Sequence, residues 1–199
     1  MEIRIPSRYI EVQDLVKVLR LISLLVALVV AAPVSQAAAE IPGPVEAALL
    51  LKLLSFETSR APADPTHVRI GILFDSTKPI SVQDMKRLSA GLKRASKKVR
   101  VKGRTAVVVT IDESDWRNGK LPNLDMVYLA VGIDHSSALT HTRRKRLITA
   151  CGDRDVLRAG AVFGVLEKSG RPSLAINVAA GRAAKLKLDP RVARLIDKI

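Results

Sequence analysis

Apolar periodicity divides the chain into a greasy leader and a body in which helical and extended signals alternate. Residues 21–32 (LISLLVALVVAA) are apolar but for one serine, and Pro33 ends the run. A membrane-spanning helix needs about 20 such residues, so this stretch has the length of a signal-peptide core. Lys17 and Arg20 supply a positive flank before it. Behind it, Ser35-Gln36-Ala37 and Ala37-Ala38-Ala39 put small residues where a signal peptidase needs them. The pattern predicts a cleaved export signal over 1–39 and one mature domain over 40–199, starting at Glu40. An uncleaved anchor or a buried core helix is the competing reading.

In the body, PVEAALLLKLLSF predicts a helix over 44–57, with proline in its first turn and Ala47, Leu50, Leu51 and Leu54 on one face. HVRIGILF (67–74) reads as a buried strand. Met85, Leu88, Leu92, Ala95 and Val99 step at helical spacing, which predicts a helix over 81–98 with Ser81 and Asp84 as a capping box. TAVVVTI (105–111), MVYLAVG (126–132) and RLITAC (146–151) read as further strands, with DESDWRNGKLPN as a turn-rich connection and a short helix over 136–144. Two runs, 160–167 and 172–178, flank Lys168-Ser169-Gly170-Arg171, a hairpin signal. Helices over 179–185 and 190–198, the latter with Asp189 as cap and Pro190 behind it, close the chain. Alternating strands and helices predict an α/β three-layer sandwich. Its central sheet is mainly parallel with a C-terminal antiparallel hairpin, and helices cover both faces.

Composition changes this picture in three ways. Apolar residues make up 48% of the 199-residue chain and charged ones 26%, which excludes a disordered chain and leaves enough material for an unstapled core. Cys151 is the only cysteine, so no intramolecular disulfide can form; in its apolar setting it reads as a small buried side chain, with dimer-linking or redox work as the alternative. The net charge is +14, and the leader carries nearly balanced charge, so the surplus belongs to the mature domain. Residues 86–104 hold nine basic side chains and no acidic one, and RRKR at 143–146 is a second cluster.

At the carboxyl end, ITACGDRDVLRAGAVFGVLEKSGRPSLAINVAAGRAAKLKLDPRVARLI resembles the YfiR-like family of bacterial periplasmic proteins. The family's order is a strand, a Gly-Gly-containing strand, a hairpin, an Ile-Asn-Leu sequence, an Ala-rich turn and a final helix. Its motif positions correspond here to Ala159-Gly160, Ile176-Asn177-Val178, the alanines at 179–184 and the segment 191–196. The departures are Ala159 for the first glycine, Glu57-Thr58-Ser59-Arg60 for a Trp-Pro after the first helix, Asp189-Pro190 for a Ser-Ser, and the absence of a cysteine pair. The resemblance implies a compact periplasmic domain, often dimeric and without established catalysis. It also implies repression of a membrane-anchored diguanylate cyclase, and so control of cyclic di-GMP signalling.

Candidate chemistry is sparse. The residues singled out for a partner or anion surface are Lys86, Lys93, Arg94 and Lys97, with Arg87 and Lys98 alongside them, and Trp116 as a possible interface anchor that more often folds back over the sheet edge. In an exported protein such a surface fits an inner-membrane signalling protein or anionic lipid headgroups better than nucleic acid. No aromatics interleave the cluster to stack bases. His135 and His141 lack partners at zinc-ligand spacing, Asp112, Glu113 and Asp115 lack calcium-loop alternation, and no GxSxG or phosphate-cradling motif occurs. No cofactor, metal or catalytic residue is therefore expected. The leading expectation is a non-enzymatic periplasmic regulator acting by protein contact. The alternative is a solute-binding domain for a small anion near Asp75-Ser76 and Gly132, at the carboxyl ends of the strands. Glycines 160, 164 and 170 read as structural, and Asn177 as a residue satisfying backbone groups at a strand-to-helix junction.

Overall fold

Strand β1 (His67–Phe74) is buried through Val68, Ile70, Ile72 and Leu73, the pattern of a strand covered on both faces. The computed structural model describes residues 41–59, 64–119 and 122–199, so the expected export signal over 1–39 lies outside the described residues. Within it, β1 pairs in parallel with β2 (Thr105–Asp112) on one side and β3 (Met126–Leu129) on the other. Strands β4 (Ile148–Cys151) and β5 (Phe163–Lys168) extend the parallel run. Strand β6 (Arg171–Ile176) returns antiparallel to β5, and β7 (Asp197–Lys198) adds a last parallel pair. The order is β2-β1-β3-β4-β5-β6-β7. The chain thus moves one way from β1 to β2 and the other way from β3 onward, so a topological switch point lies between β1 and β3.

Side chains alternate across the sheet and feed two cores. Met126 and Tyr128 point to one face with Val68, Ile70 and Ile72, and there they meet α1 (Gly43–Phe56), α2 (Pro79–Ala95) and the segments around α6 (Val178–Ala183) and α7 (Pro190–Ala193). Val127 and Leu129 point to the other, where α3 (Glu113–Arg117), α4 (His135–Arg144) and α5 (Arg154–Ala159) contribute Trp116, Leu139 and Leu157. The fold is the α/β three-layer arrangement expected, hairpin included. That hairpin turns on Ser169 and Gly170, both at positive φ, the two-residue geometry that matches strand twist.

Several elements differ from the sequence reading. The second helix starts at Pro79 rather than Ser81, because proline at the first helical position already holds the required φ, and it stops at Ala95. Ser81 and Asp84 form no capping box: both are buried, and Ser81 Oγ accepts the Asp75 N–H at 2.9 Å. The connection after β2 contains α3, started by the Asp112 carboxylate accepting from the Ser114 N–H. Helix α5 was not expected; Asp153 caps it, and Gly160 ends it at φ +125°. Gly160 is therefore a helix terminator, not a strand residue, and β5 begins only at Phe163. The last expected helix, 190–198, is one turn (Pro190–Ala193) followed by β7, since the Ile199 N–H donates to the Ile176 carbonyl at the β6 end and the Ile199 carbonyl accepts the Val178 N–H instead.

Where α1 crosses α2 the backbones touch. A Cβ at Gly91 would fall within contact distance of the Gly43 carbonyl and 2.9 Å from Pro44 N, and one at Gly43 would lie 2.6 Å from Arg87 O. Only glycine at both positions permits this approach, and it carries Glu46 of α1 against Arg87 of α2.

Candidate functional site

The basic residues of α2 divide by direction. Lys86, Lys93 and Arg94 are exposed on the helix; Lys97 and Lys98 are exposed in the turn just past its end. None of these five forms an ion pair among the described residues. Lys93 and Arg94 sit in the last turn, where positive charge is favoured by the helix's carbonyl end. Exposed Arg100 and Lys102 carry the charge on toward β2, an outer strand of the sheet, whose Val107 is 38% exposed.

Other residues of the run face elsewhere. Arg87 is turned inward, against its sequence placement beside the exposed lysines, because two buried carboxylates hold it. Its Nη2 lies 2.6 Å from Glu46 Oε2 and 2.6 Å from Asp84 Oδ1. Arg104 points toward Asp125 and is half-buried. Trp116 is no interface anchor: it is 2% exposed, and its ring packs 5.1 Å from that of His141 in the second core. Of the family-motif positions, Ala159 and Gly160 close α5, and Ile176 ends β6. Asn177 caps α6 by accepting the Ala180 N–H at 2.9 Å, while its Nδ2 donates to Leu157 O.

The expected anion locus is closed by local bonds. The Asp75 carboxylate accepts from Thr77, the Ser76 N–H donates to Asp112, and Lys78 Nζ donates to the Gly132 carbonyl at 2.6 Å. A cleft lies next to it instead, about 510 Å³ in volume, over the carboxyl ends of the parallel strands β3, β4 and β5. Its floor holds Glu46, Asp84, Tyr128 and Gly152, and its walls are Ile41, Ile80, Val131 and Val165. Carboxylates outnumber the one guanidinium there, so the lining does not suit an anion. Burial raises the Glu46 pKa against the lowering effect of Arg87 beside it. Burial also pushes the Tyr128 hydroxyl well up, with the Glu46 and Asp84 charges adding to it.

The sequence reading missed this cleft. One signal was legible: Glu46 is the single acidic residue in PVEAALLLKLLSF, and it stands next to Ala47 and four residues before Leu50, on the apolar side of the helix. Tyr128 within MVYL gave no such sign. Among the described residues no cluster of His, Cys, Asp and Glu could hold a metal ion, and no helix is long and apolar enough to cross a membrane.

Comparison with known proteins fixes the lineage. No curated protein matches the chain significantly. Among solved structures, a conserved domain protein from Vibrio cholerae O1 biovar El Tor superposes with a TM-score of 0.54 at 13% identity, over 79% of this chain and 60% of that one. The ABC domain in complex with L-Trp from Streptococcus pneumonia superposes with a TM-score of 0.52 at 12% identity, over 76% of this chain and 59% of that one. The chain thus spans about three-fifths of these structures, and at such identities the likeness speaks to fold alone. The YfiR/HmsC-like family model matches residues 44–195, which takes in all the helices but for the first residue of α1, and six of the seven strands described above. The chain belongs to the YfiR/HmsC-like family, a family of periplasmic regulators of cyclic di-GMP signalling rather than of catalysts.

Proposed function

We propose that this protein is exported by cleavage of residues 1–39 and acts in the periplasm as a non-enzymatic regulator. It would bind the periplasmic part of a membrane-anchored signalling protein of the diguanylate cyclase or sensor kinase type. The observation that carries the reading is the exposed set of Lys86, Lys93, Arg94, Lys97 and Lys98, drawn from a run without an acidic residue that leads into the outer strand β2. Surplus charge held on one face steers encounter with an oppositely charged surface and fixes orientation. The same lysines would add about 1 kcal/mol each near an anionic membrane, which favours a partner standing at that surface.

The test is Lys93→Glu combined with Lys97→Glu. Both side chains are exposed and outside the core, so the domain keeps its melting temperature. Co-purification of the inner-membrane partner at moderate salt falls at least tenfold. Undiminished co-purification with the doubly reversed protein contradicts this surface.

A further inference from the structure

We infer that the cleft over the carboxyl ends of β3–β5 is a binding site for a small molecule that joins a protonated amine to a compact apolar body. Arg87 is held by the carboxylates of Glu46 and Asp84, and three of their four oxygens are satisfied. Glu46 Oε2 and Asp84 Oδ1 accept from Arg87, and Asp84 Oδ2 accepts the Val131 N–H at 3.0 Å. Glu46 Oε1 is left over: in a residue only 1% exposed it makes no well-formed hydrogen bond, although the Tyr128 hydroxyl reaches toward it as a side-chain donor. The hydroxyl of Tyr128, a residue 0% exposed, likewise makes no well-formed bond, so each oxygen has only a loose contact with the other. Both atoms border one space, because a Cβ on Gly152 would stand 3.0 Å from the Tyr128 hydroxyl and 3.4 Å from Glu46 Oε1.

A buried carboxylate oxygen served only by a loose phenol contact, beside a void, gains from a stronger donor. The charge count says which donor. Two carboxylates on one guanidinium leave a negative charge, and Glu167 at the rim adds to it. Arg87 is already committed on all three nitrogens, its Nε and Nη2 to the two carboxylates and its Nη1 to the Ile41 carbonyl at 2.7 Å, so it favours no anion. An ammonium group can donate to Glu46 Oε1 and to the Tyr128 oxygen together, and it neutralises the excess charge. The aliphatic walls of Ile41, Ile80, Val131 and Val165 then take the apolar body, and about 510 Å³ is the size of a small-molecule site.

The probes are cyclohexylamine, cyclohexanol and cyclohexanecarboxylate, which share a body and differ in the head group, titrated into the purified protein by calorimetry and by thermal melting. Cyclohexylamine binds saturably and raises the melting temperature, while the alcohol and the carboxylate bind at least tenfold more weakly. Gly152→Ala fills the floor against the Tyr128 hydroxyl and Glu46 Oε1, on the side of the carboxylate away from Arg87, and Tyr128→Phe removes one of the two oxygens at constant shape. Each weakens amine binding tenfold or more. Equal binding of the three probes, amine binding that survives both substitutions, or no saturable amine binding (a cleft that holds water only) overturns the assignment.

Discussion

Cys151 illustrates how burial decides chemistry at a single residue. It is fully buried, its Sγ donates to the Asp153 carbonyl at 3.2 Å, and burial pushes the thiol up to about 12. Since the thiolate is the nucleophile, such a thiol is inert at neutral pH, which removes the dimer-linking and redox alternatives raised by its sequence context. A disulfide reagent added to the native protein therefore leaves Cys151 unmodified, and the same reagent modifies it once denaturant unfolds the chain; modification at equal rates contradicts the burial. Two carboxylates act at the other end of the pH scale. Hydrogen bonds from Ser114 and Ser76 hold Asp112 at about 2, and those from Arg191 hold Asp189 at about 2, both below the ordinary 3.8. Because the folded state binds their protons less readily than the unfolded state does, the stability they contribute is complete above pH 3.8. It is lost as pH falls toward 2. Melting temperature should decline across that window, and Asp112→Asn should flatten the decline by removing one of the two groups. An unchanged acid profile in that variant would contradict its role as the cap of α3.

At the scale of elements, the contact of α1 with α2 depends on two missing side chains. Gly91→Ala places a methyl group against the Gly43 carbonyl, which belongs to rigid backbone and cannot swing aside. The helices must separate, at a cost of about 2 kcal/mol for overpacking at an otherwise close-packed site. Urea unfolding should show this as a lower midpoint with an unchanged slope. A stability equal to that of the parent chain contradicts the crossing geometry. Elements of this kind were legible in the sequence to different degrees. The strand over 67–74 and the helix over 44–57 stood out, because each is a concentrated apolar segment of the right length bounded by proline or polar turns. Helices α3 and α5 did not, because each is only about a turn and a half long, too short to show a period. Their starts rest on aspartates whose capping role depends on the neighbouring backbone. The two-residue β7 depends on pairing with β6, a contact that no local pattern encodes.

For the whole molecule, the charge pattern of α2 was readable and its direction was only partly so. Helical spacing put Arg87 beside the exposed lysines, yet burying two carboxylates without a cation costs several kcal/mol, and that requirement turns its guanidinium inward. Trp116 went the same way for its own reason: a large indole gains more by covering Leu139 and the second core than by standing in water. The cleft stayed hidden because it is assembled from α1, α2 and three strands that meet only at the carboxyl edge of the sheet. What remains on the outside is a positively charged end of α2 next to β2, the outer strand of the sheet among the described residues, and the account stands on that surface being the one that meets a membrane signalling protein. Photo-crosslinking in living cells tests it most directly, with a benzophenone amino acid replacing Lys97 and, as a control, replacing Leu195 at the 80% exposed site near the C-terminus. The account predicts that the probe at position 97 captures an inner-membrane cyclase or sensor, identified by mass spectrometry, and that the probe at position 195 does not. Capture of that partner from position 195 alone contradicts it.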